Sequence, residues 1–386
     1  MAYVICEKTT PERYPKPTSA PPTLAREGIN VAPYGTLFLK MKHRCLMGLS
    51  TGFSTNDHGE IHLNRQVEMA FRGDWGQANF TRICGWLSQE LGDRTNAGSR
   101  FAIWNGRGGR DQAEAVIEGT ADVAVMTPAV AAKVIHAGIG PGGAPALPRL
   151  RALGVLGHRD AVVVAVDADL PVHSVAELPS IADRLVIATC PDDAANPAGV
   201  VVHHALRMAG ADAGRLTAAG ARFVYDERPF TSFDDFAARD VNVLMTEAIM
   251  TPGWQRIADR RPVRYLDWGD AVFDGFAEYG WPDITVPAGY LPGLDQDLRT
   301  LTLSDFILLC REDLDDDIAY LITWCMIRTR QALEAQYALL PPERSPLVMP
   351  IRPSDMKNTP IPLHPAAERA YRDVGDSAST DSAMWS

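Results

Sequence analysis

The sequence predicts an α/β protein of two lobes with a cleft between them. Three observations carry this expectation. Apolar runs of strand length alternate with helical patterns, as in sheets covered on both faces; the alternation begins afresh near residue 185; and a late strand and helix return after it. The 386 residues agree with two or three units at roughly 150 residues each.

The elements follow in order. After a Pro-rich arm through about Pro33, CLMGLS (45–50) reads as a short buried strand. A loop-rich stretch leads to Phe80, Ile83, Cys84, Leu87 and Leu91 at helical spacing. RFAIWN is a strand, RDQAEAVIEG a helix ending at Gly119, ADVAVMTP a strand, and LRALGVLG and AVVVAVD are further apolar runs. The second unit comprises RLVIATC, the helix PAGVVVHHALRMAG, RFVYD, a short helix near FTSFDDFAARD, VNVLMTEA, the helix GWQRIADR and VRYLDW. LTLSDFILLC then returns as one strand, and Ile318, Leu321, Ile322, Cys325, Thr329 and Leu333 mark one face of a long helix. In an open sheet of this kind the ligand cleft lies at the carboxyl ends of the strands.

Composition narrows the function. An apolar fraction of 46% and a charged fraction of 22% are those of a folded globular chain. The net charge of -11 repels phosphate backbones and argues against a nucleic-acid partner, while leaving room for a local cationic pocket. No segment approaches the roughly 20 apolar residues that span a bilayer, so no membrane insertion is expected. The opening MAYVICEKTTPERYPKPTSAPPTLAREG has neither the basic start nor the apolar run of roughly 7 to 15 residues of a secretory signal. As written, the chain is expected in the cytoplasm; with a signal removed, in the periplasm. Cys6, Cys45, Cys84, Cys190, Cys310 and Cys325 form no CxxC pair and read mostly as small buried hydrophobes.

The clearest local feature is WNGRGGRDQAEAVIEG, where a strand ends at Trp104 and a Gly-rich turn opens a helix. Amides at a helix N-terminus suit an anion, and Arg107 and Arg110 could clamp a carboxylate; the alternative is a tight turn with solvated arginines. The glycine spacing matches neither a P-loop nor a dinucleotide fingerprint. Ser50-Thr51-Gly52, Met126-Thr127-Pro128, Thr189-Cys190-Pro191 and Thr246-Glu247-Ala248 follow strands and would reach the same cleft. On a strand His58, Glu60 and His62 would share a face and could ligate a metal, against the plainer reading of a solvated hairpin. His203 and His204 are helical neighbours pointing apart, and Cys190 would be a nucleophile only beside a base. No G-x-S-x-G elbow, H-E-x-x-H or kinase set is present. No metal or cofactor is expected.

The segments GRDQAEAVIEGTADVAVMTP, LRALGVLGHRDAVVVAVDADLPVHSVAELP, VPAGYLPGLDQDLRTLTLSDFILLCREDLDDDIAYLITWCMIR and TPIPLHPAAERAYRDVG resemble the TAXI family of solute-binding proteins, which serve TRAP transporters. The resemblance covers roughly residues 44 to 375. It implies a type II periplasmic-binding-protein fold closing over a small ligand, often a dicarboxylate or amino acid. It also implies an arm at 1–43, a first lobe of 44–165 with 290–375, a second lobe of 166–289 and a flexible tail at 376–386. Carried over by position, the cleft would take Ser50 and Thr51 from the first strand end, Asn105, Arg107 and Arg110 from the second and Thr127 from the third. Thr189 and Glu247 would come from the second lobe, and Tyr290 would stand near the mouth.

The sequence departs from the family in two turns. TGFSTNDHGEIHLNRQVEMAFRGDWG reads as an insertion of about twenty residues after the first strand, and TCPDDAANPAG carries two acids where the family turn is small. Two functions follow. One is a binding protein for a small carboxylate-bearing molecule, with a transporter membrane subunit as partner if exported. The other is a cytoplasmic enzyme on the same fold, a cofactor-free decarboxylase or dehydratase in which Glu247 or Asp192 moves protons while Arg107 and Arg110 hold a carboxylate. A ligand-sensing subunit of a cytoplasmic complex is a third, weaker reading.

Overall fold

The computed structural model describes residues 52–74, 79–140, 144–249 and 251–374. The arm, the strand expected at 45–50 and the tail lie outside them. A hairpin of β1 (Phe53–Thr55) and β2 (Ile61–Leu63) precedes β3 (Glu68–Asp74), α1 (Asn79–Asp93), β4 (Arg100–Gly106), α2 (Gly109–Ile117), β5 (Val123–Met126), α3 (Ala129–Ala137) and β6 (Leu150–Leu156). The second lobe holds β7 (Val162–Asp167), β8 (Val186–Thr189), α4 (Pro197–Met208), α5 (Ala213–Ala218), β9 (Arg222–Tyr225), α6 (Phe230–Ala238) and β10 (Val243–Glu247). It continues through α7 (Thr251–Ala258), β11 (Val263–Tyr265), α8 (Asp270–Glu278) and the hairpin β12 (Asp283–Val286) and β13 (Leu298–Leu301). The chain then returns to the first lobe with β14 (Phe306–Arg311), α9 (Asp316–Arg328), α10 (Arg330–Ala335), α11 (Pro353–Met356) and α12 (Pro365–Val374).

The first lobe is built on a five-stranded sheet ordered β4-β3-β5-β14-β6 and the second on one ordered β11-β7-β10-β8-β9. Each sheet has one antiparallel member, β14 in the first and β7 in the second. Both are the strands that arrive from the other lobe. Wholly apolar runs such as VAVM of β5 and VVVAV of β7 follow from this position, because both faces of a central strand are covered. β4 is different: it is an edge strand on which Trp104 remains 60% exposed.

The strand leading the first sheet is β3, within the stretch that the sequence reads as an insertion. Its charged residues hide a period of two: Val67, Met69 and Phe71 are buried, and Arg72 lies on the opposite face. LTLSDFILLC is two strands rather than one, broken where Asp305 takes a left-handed φ of 68°. The long terminal helix likewise breaks at Thr329 into α9 and α10, although α9 is buried from Ile318 to Ile327 as its apolar run demands. Sheet membership sets lobe limits that differ from the expected 44–165 with 290–375 and 166–289. β7 pairs within the second sheet, and Leu291, Leu294 and Leu298 pack in that lobe's core, so 162–165 and 290–301 go with the second lobe.

Two crossovers, 157–161 and 302–305, join the lobes and are bonded to each other. Leu303 N donates to Asp160 O at 2.9 Å and Asp305 N to His158 O at 3.1 Å. His158 N donates to Asp305 Oδ1 at 3.0 Å, and the Ser304 hydroxyl both donates to Asp160 O and accepts from Asp160 N. One apolar cluster runs from α2, α3 and β14 through to β7, β8, α4 and α8, so the lobes share a core beside this hinge.

Candidate functional site

The β4–α2 turn is shaped by its glycines. Gly108 and Gly109 have φ of 101° and 49°, a region open to glycine at little cost. A Cβ on Gly109 would lie 2.7 Å from the carbonyl oxygen of Ala194 in the second lobe. The same turn donates the Arg110 amide to that carbonyl at 3.0 Å. Arg107 reaches further across, its Nη2 donating to Asp193 Oδ2 at 2.7 Å and Glu227 Oε1 at 2.9 Å. These partners hold the Arg107 guanidinium above its usual pKa; Asp193 sits below its own, first through the Ala195 amide and then through Arg107. Arg110 is turned away: Nε donates to Glu114 at 2.6 Å and Nη2 to Pro145 O at 2.8 Å. The pair Arg107 and Arg110 therefore does not form one clamp here.

The other sequence-selected residues fall into two groups. Thr127 and Thr189 support the frame: the Thr127 hydroxyl donates to Leu303 O and Asp305 O of the hinge, and the Thr189 hydroxyl donates to Met245 O, tying β8 to β10. Asn105 is exposed on β4. Ser50 and Thr51, placed by the sequence at the end of the first strand, lie outside the described residues.

Glu247 and Tyr290 gather at the hinge with residues the sequence does not single out. Asp160 is buried, and its Oδ1 accepts the amides of Ala161 at 2.7 Å and Ile249 at 3.1 Å. Burial, and then the charge of Glu247, holds Asp160 well above the carboxylate range, while burial pushes Glu247 up to about 7. Burial raises Tyr290 as well, with Asp160 the second cause; its ring lies 4.5 Å from the Arg344 guanidinium, which also donates to Tyr290 O. His158 is held neutral, pushed by burial to about 4, with its ring on Phe306 and Nδ1 2.6 Å from Pro346 O.

Burial, then Glu247, pushes the Cys190 thiol up to about 12, so it is protonated at neutral pH and a poor nucleophile. His203 bonds the Cys190 carbonyl, and Asp192 pairs with Arg207 at 2.9 Å. The three side chains do not share a strand, as the metal alternative would need: His58 lies in the turn of the β1–β2 hairpin, Glu60 accepts from Asn56 at 2.8 Å, and only His62 is on β2. Among the described residues no group of three His, Cys, Asp or Glu is placed to hold a metal ion.

Two five-stranded α/β sheets, each with one antiparallel strand entered straight from a crossover, and a cationic turn of one lobe meeting acids of the other define a two-lobed periplasmic-binding-protein fold of type II. The chain belongs to the NMT1-like family, whose model matches residues 82–375. Among solved structures it is similar to MatC from Rhodopseudomonas palustris with bound malate, at 14% identity and a TM-score of 0.45 over 81% of this chain and 99% of that one. A TctC solute-binding protein from Polaromonas gives 10% identity and 0.44 over 83% and 99%. The aliphatic sulphonate-binding protein SsuA from Escherichia coli gives 17% and 0.39 over 71% and 77%. No curated protein matches the chain.

Proposed function

We propose that this is a solute-binding protein of TAXI type whose lobes close over a small carboxylate-bearing molecule. The observation that carries the reading is the Arg107 bridge: a cation on one lobe that holds two acids of the other is a contact that opens with the lobes and that a ligand carboxylate can replace. The test is calorimetric titration with a panel of carboxylates and amino acids. Arg107→Ala should weaken binding about tenfold or more, the loss expected for a charged hydrogen bond, whereas Asp193→Asn should leave it equal or tighter. A panel that binds unchanged to Arg107→Ala would remove Arg107 from the site. This reading goes with export and a transporter membrane subunit as partner.

Glu247 favours a second reading, a cytoplasmic decarboxylase or dehydratase acting on a small carboxylate. An acid at a strand end whose pKa is about 7 suits proton transfer at neutral pH. Prolonged incubation of a bound carboxylate followed by NMR separates the two readings: an unchanged ligand excludes the enzyme. Cell fractionation gives an independent answer.

A further inference from the structure

Beside the hinge, at the edge of the first sheet, lies a recess of about 260 Å³ that neither reading uses. It is framed by the end of β6, by Asp305 of the second crossover and by residues 348–358, on the segment that runs from α10 to α12. No residue of the second lobe lines it, so it is separate from the faces that meet across the cleft. Its size falls just below the roughly 300 Å³ at which pockets for drug-sized molecules begin, and suits a smaller ligand. Val155, Val348, Ile351 and Met356 give it an apolar wall, and Asp305 and Arg352 bring opposite charges to it. Asp305 spends one carboxylate oxygen, Oδ1, on the His158 amide at 3.0 Å; its Oδ2 has no hydrogen bond or ion pair among the described residues. Burial holds this carboxyl above its usual range, although the His158 amide pulls the other way. Arg352, exposed at the mouth, has no such partner among the described residues either, while Asp355 beside it accepts the Ser354 hydroxyl at 3.0 Å. A half-buried carboxylate with no cation is costly, and here it faces open space rather than packed atoms.

We propose that this recess is a second ligand site, for a small aliphatic amino acid whose ammonium group meets Asp305, whose carboxylate meets Arg352 and whose side chain covers the apolar wall. The two charged contacts differ in weight. The ammonium group supplies the cation that a half-buried carboxylate lacks, and a charged hydrogen bond of that kind is strong. The carboxylate meets an arginine already in water, where an ion pair adds little. A plain carboxylic acid would bring a like charge toward Asp305 and leave it unpaired, so the ammonium group decides the selection. Asp305 also donates its own amide to His158 O at 3.1 Å on the other crossover, so the occupant touches the hinge itself rather than the closing faces.

L-leucine, 4-methylpentanoate, which lacks the ammonium group, and 3-methylbutylamine, which lacks the carboxylate, separate these contacts. Titrated calorimetrically into the full chain, leucine should bind at least about tenfold tighter than 4-methylpentanoate. It should bind only about two- to fivefold tighter than 3-methylbutylamine. Asp305→Asn tolerates the left-handed φ and keeps an acceptor for the His158 amide, and it should weaken leucine about tenfold, with thermal melting to verify its fold. The methyl NMR signals of Val155 and Ile351 should move on saturation with leucine in the wild-type protein and in Arg107→Ala alike, a readout that needs no change in the recess. No binding of leucine, equal binding of leucine and 4-methylpentanoate, or unmoved methyl signals at saturation overturns the proposal. Each of these leaves the interlobe reading standing, because the two sites share no residue.

Discussion

Apart from the apolar core they share, the lobes meet at two polar contacts that differ in kind. At the hinge, His158, Asp160 and Ala161 face Thr302, Ser304 and Asp305 through backbone bonds, and the side chains there are buried and held near neutrality. At the β4–α2 turn one backbone bond, from the Arg110 amide to Ala194 O, is joined by a side-chain contact of Arg107 with Asp193 and Glu227 that is charged and roughly half exposed. Buried bonds without a water alternative are costly to break, whereas exposed ion pairs are worth little and yield to salt. A two-lobed protein needs both: a junction that persists, and another that can be exchanged for a ligand.

The sharpest way to break this contrast is at Asp160. Asp160→Ala leaves the buried amide of Ala161 and the half-buried amide of Ile249 without an acceptor, and urea denaturation should show a loss of about 2–3 kcal/mol. A loss under about 0.5 kcal/mol would put the hinge on a level with the exposed bridge.

Next in size is a pH effect at Glu247. Its folded pKa of about 7 lies above the ordinary 4.5, so the favourable contribution of the protonated form is complete below about 4.5 and lost as pH rises through 7. Stability of Glu247→Gln relative to wild type should therefore increase by about 1–3 kcal/mol between pH 4.5 and 7.5. Measuring the difference between the two proteins is necessary, because His158, displaced downward, has the opposite slope in the same range. A flat difference would mean that Glu247 is solvated.

The smallest effect belongs to the bridge. Arg107→Ala should cost at most about 1 kcal/mol, and that difference should fade in 1 M salt as screening removes it. A larger, salt-insensitive loss would make the bridge a structural element like the hinge.

How much of this was legible in the sequence follows the same division. Central strands such as β5, β7 and β10 announce themselves by continuous apolar runs, because both faces are covered. β3 does not, since Arg72 and the acids at its ends interrupt the run, and only the alternation of Val67, Met69 and Phe71 marks it. The β4–α2 turn was legible from its glycines, and Arg107 with it. The direction of Arg110 was not, because Glu114 and the Pro145 carbonyl compete for it once the helix forms. The hinge acids were half visible: Glu247 ends an apolar strand, but Asp160 gains its meaning from Ser304 and Ile249, far along the chain.

The late return of β14 to the first sheet also sets the order in which the lobes can be completed during synthesis. All five strands of the second sheet lie within β7 to β11, so that lobe can pair its strands as soon as it emerges from the ribosome. The first sheet starts earlier but must wait, because β14, which fills the gap between β5 and β6, is made after the whole second lobe. Through that interval β5 and β6 each present an apolar edge with nothing paired to it, the kind of surface on which nascent chains aggregate. The lobe that begins first is the last to close its sheet.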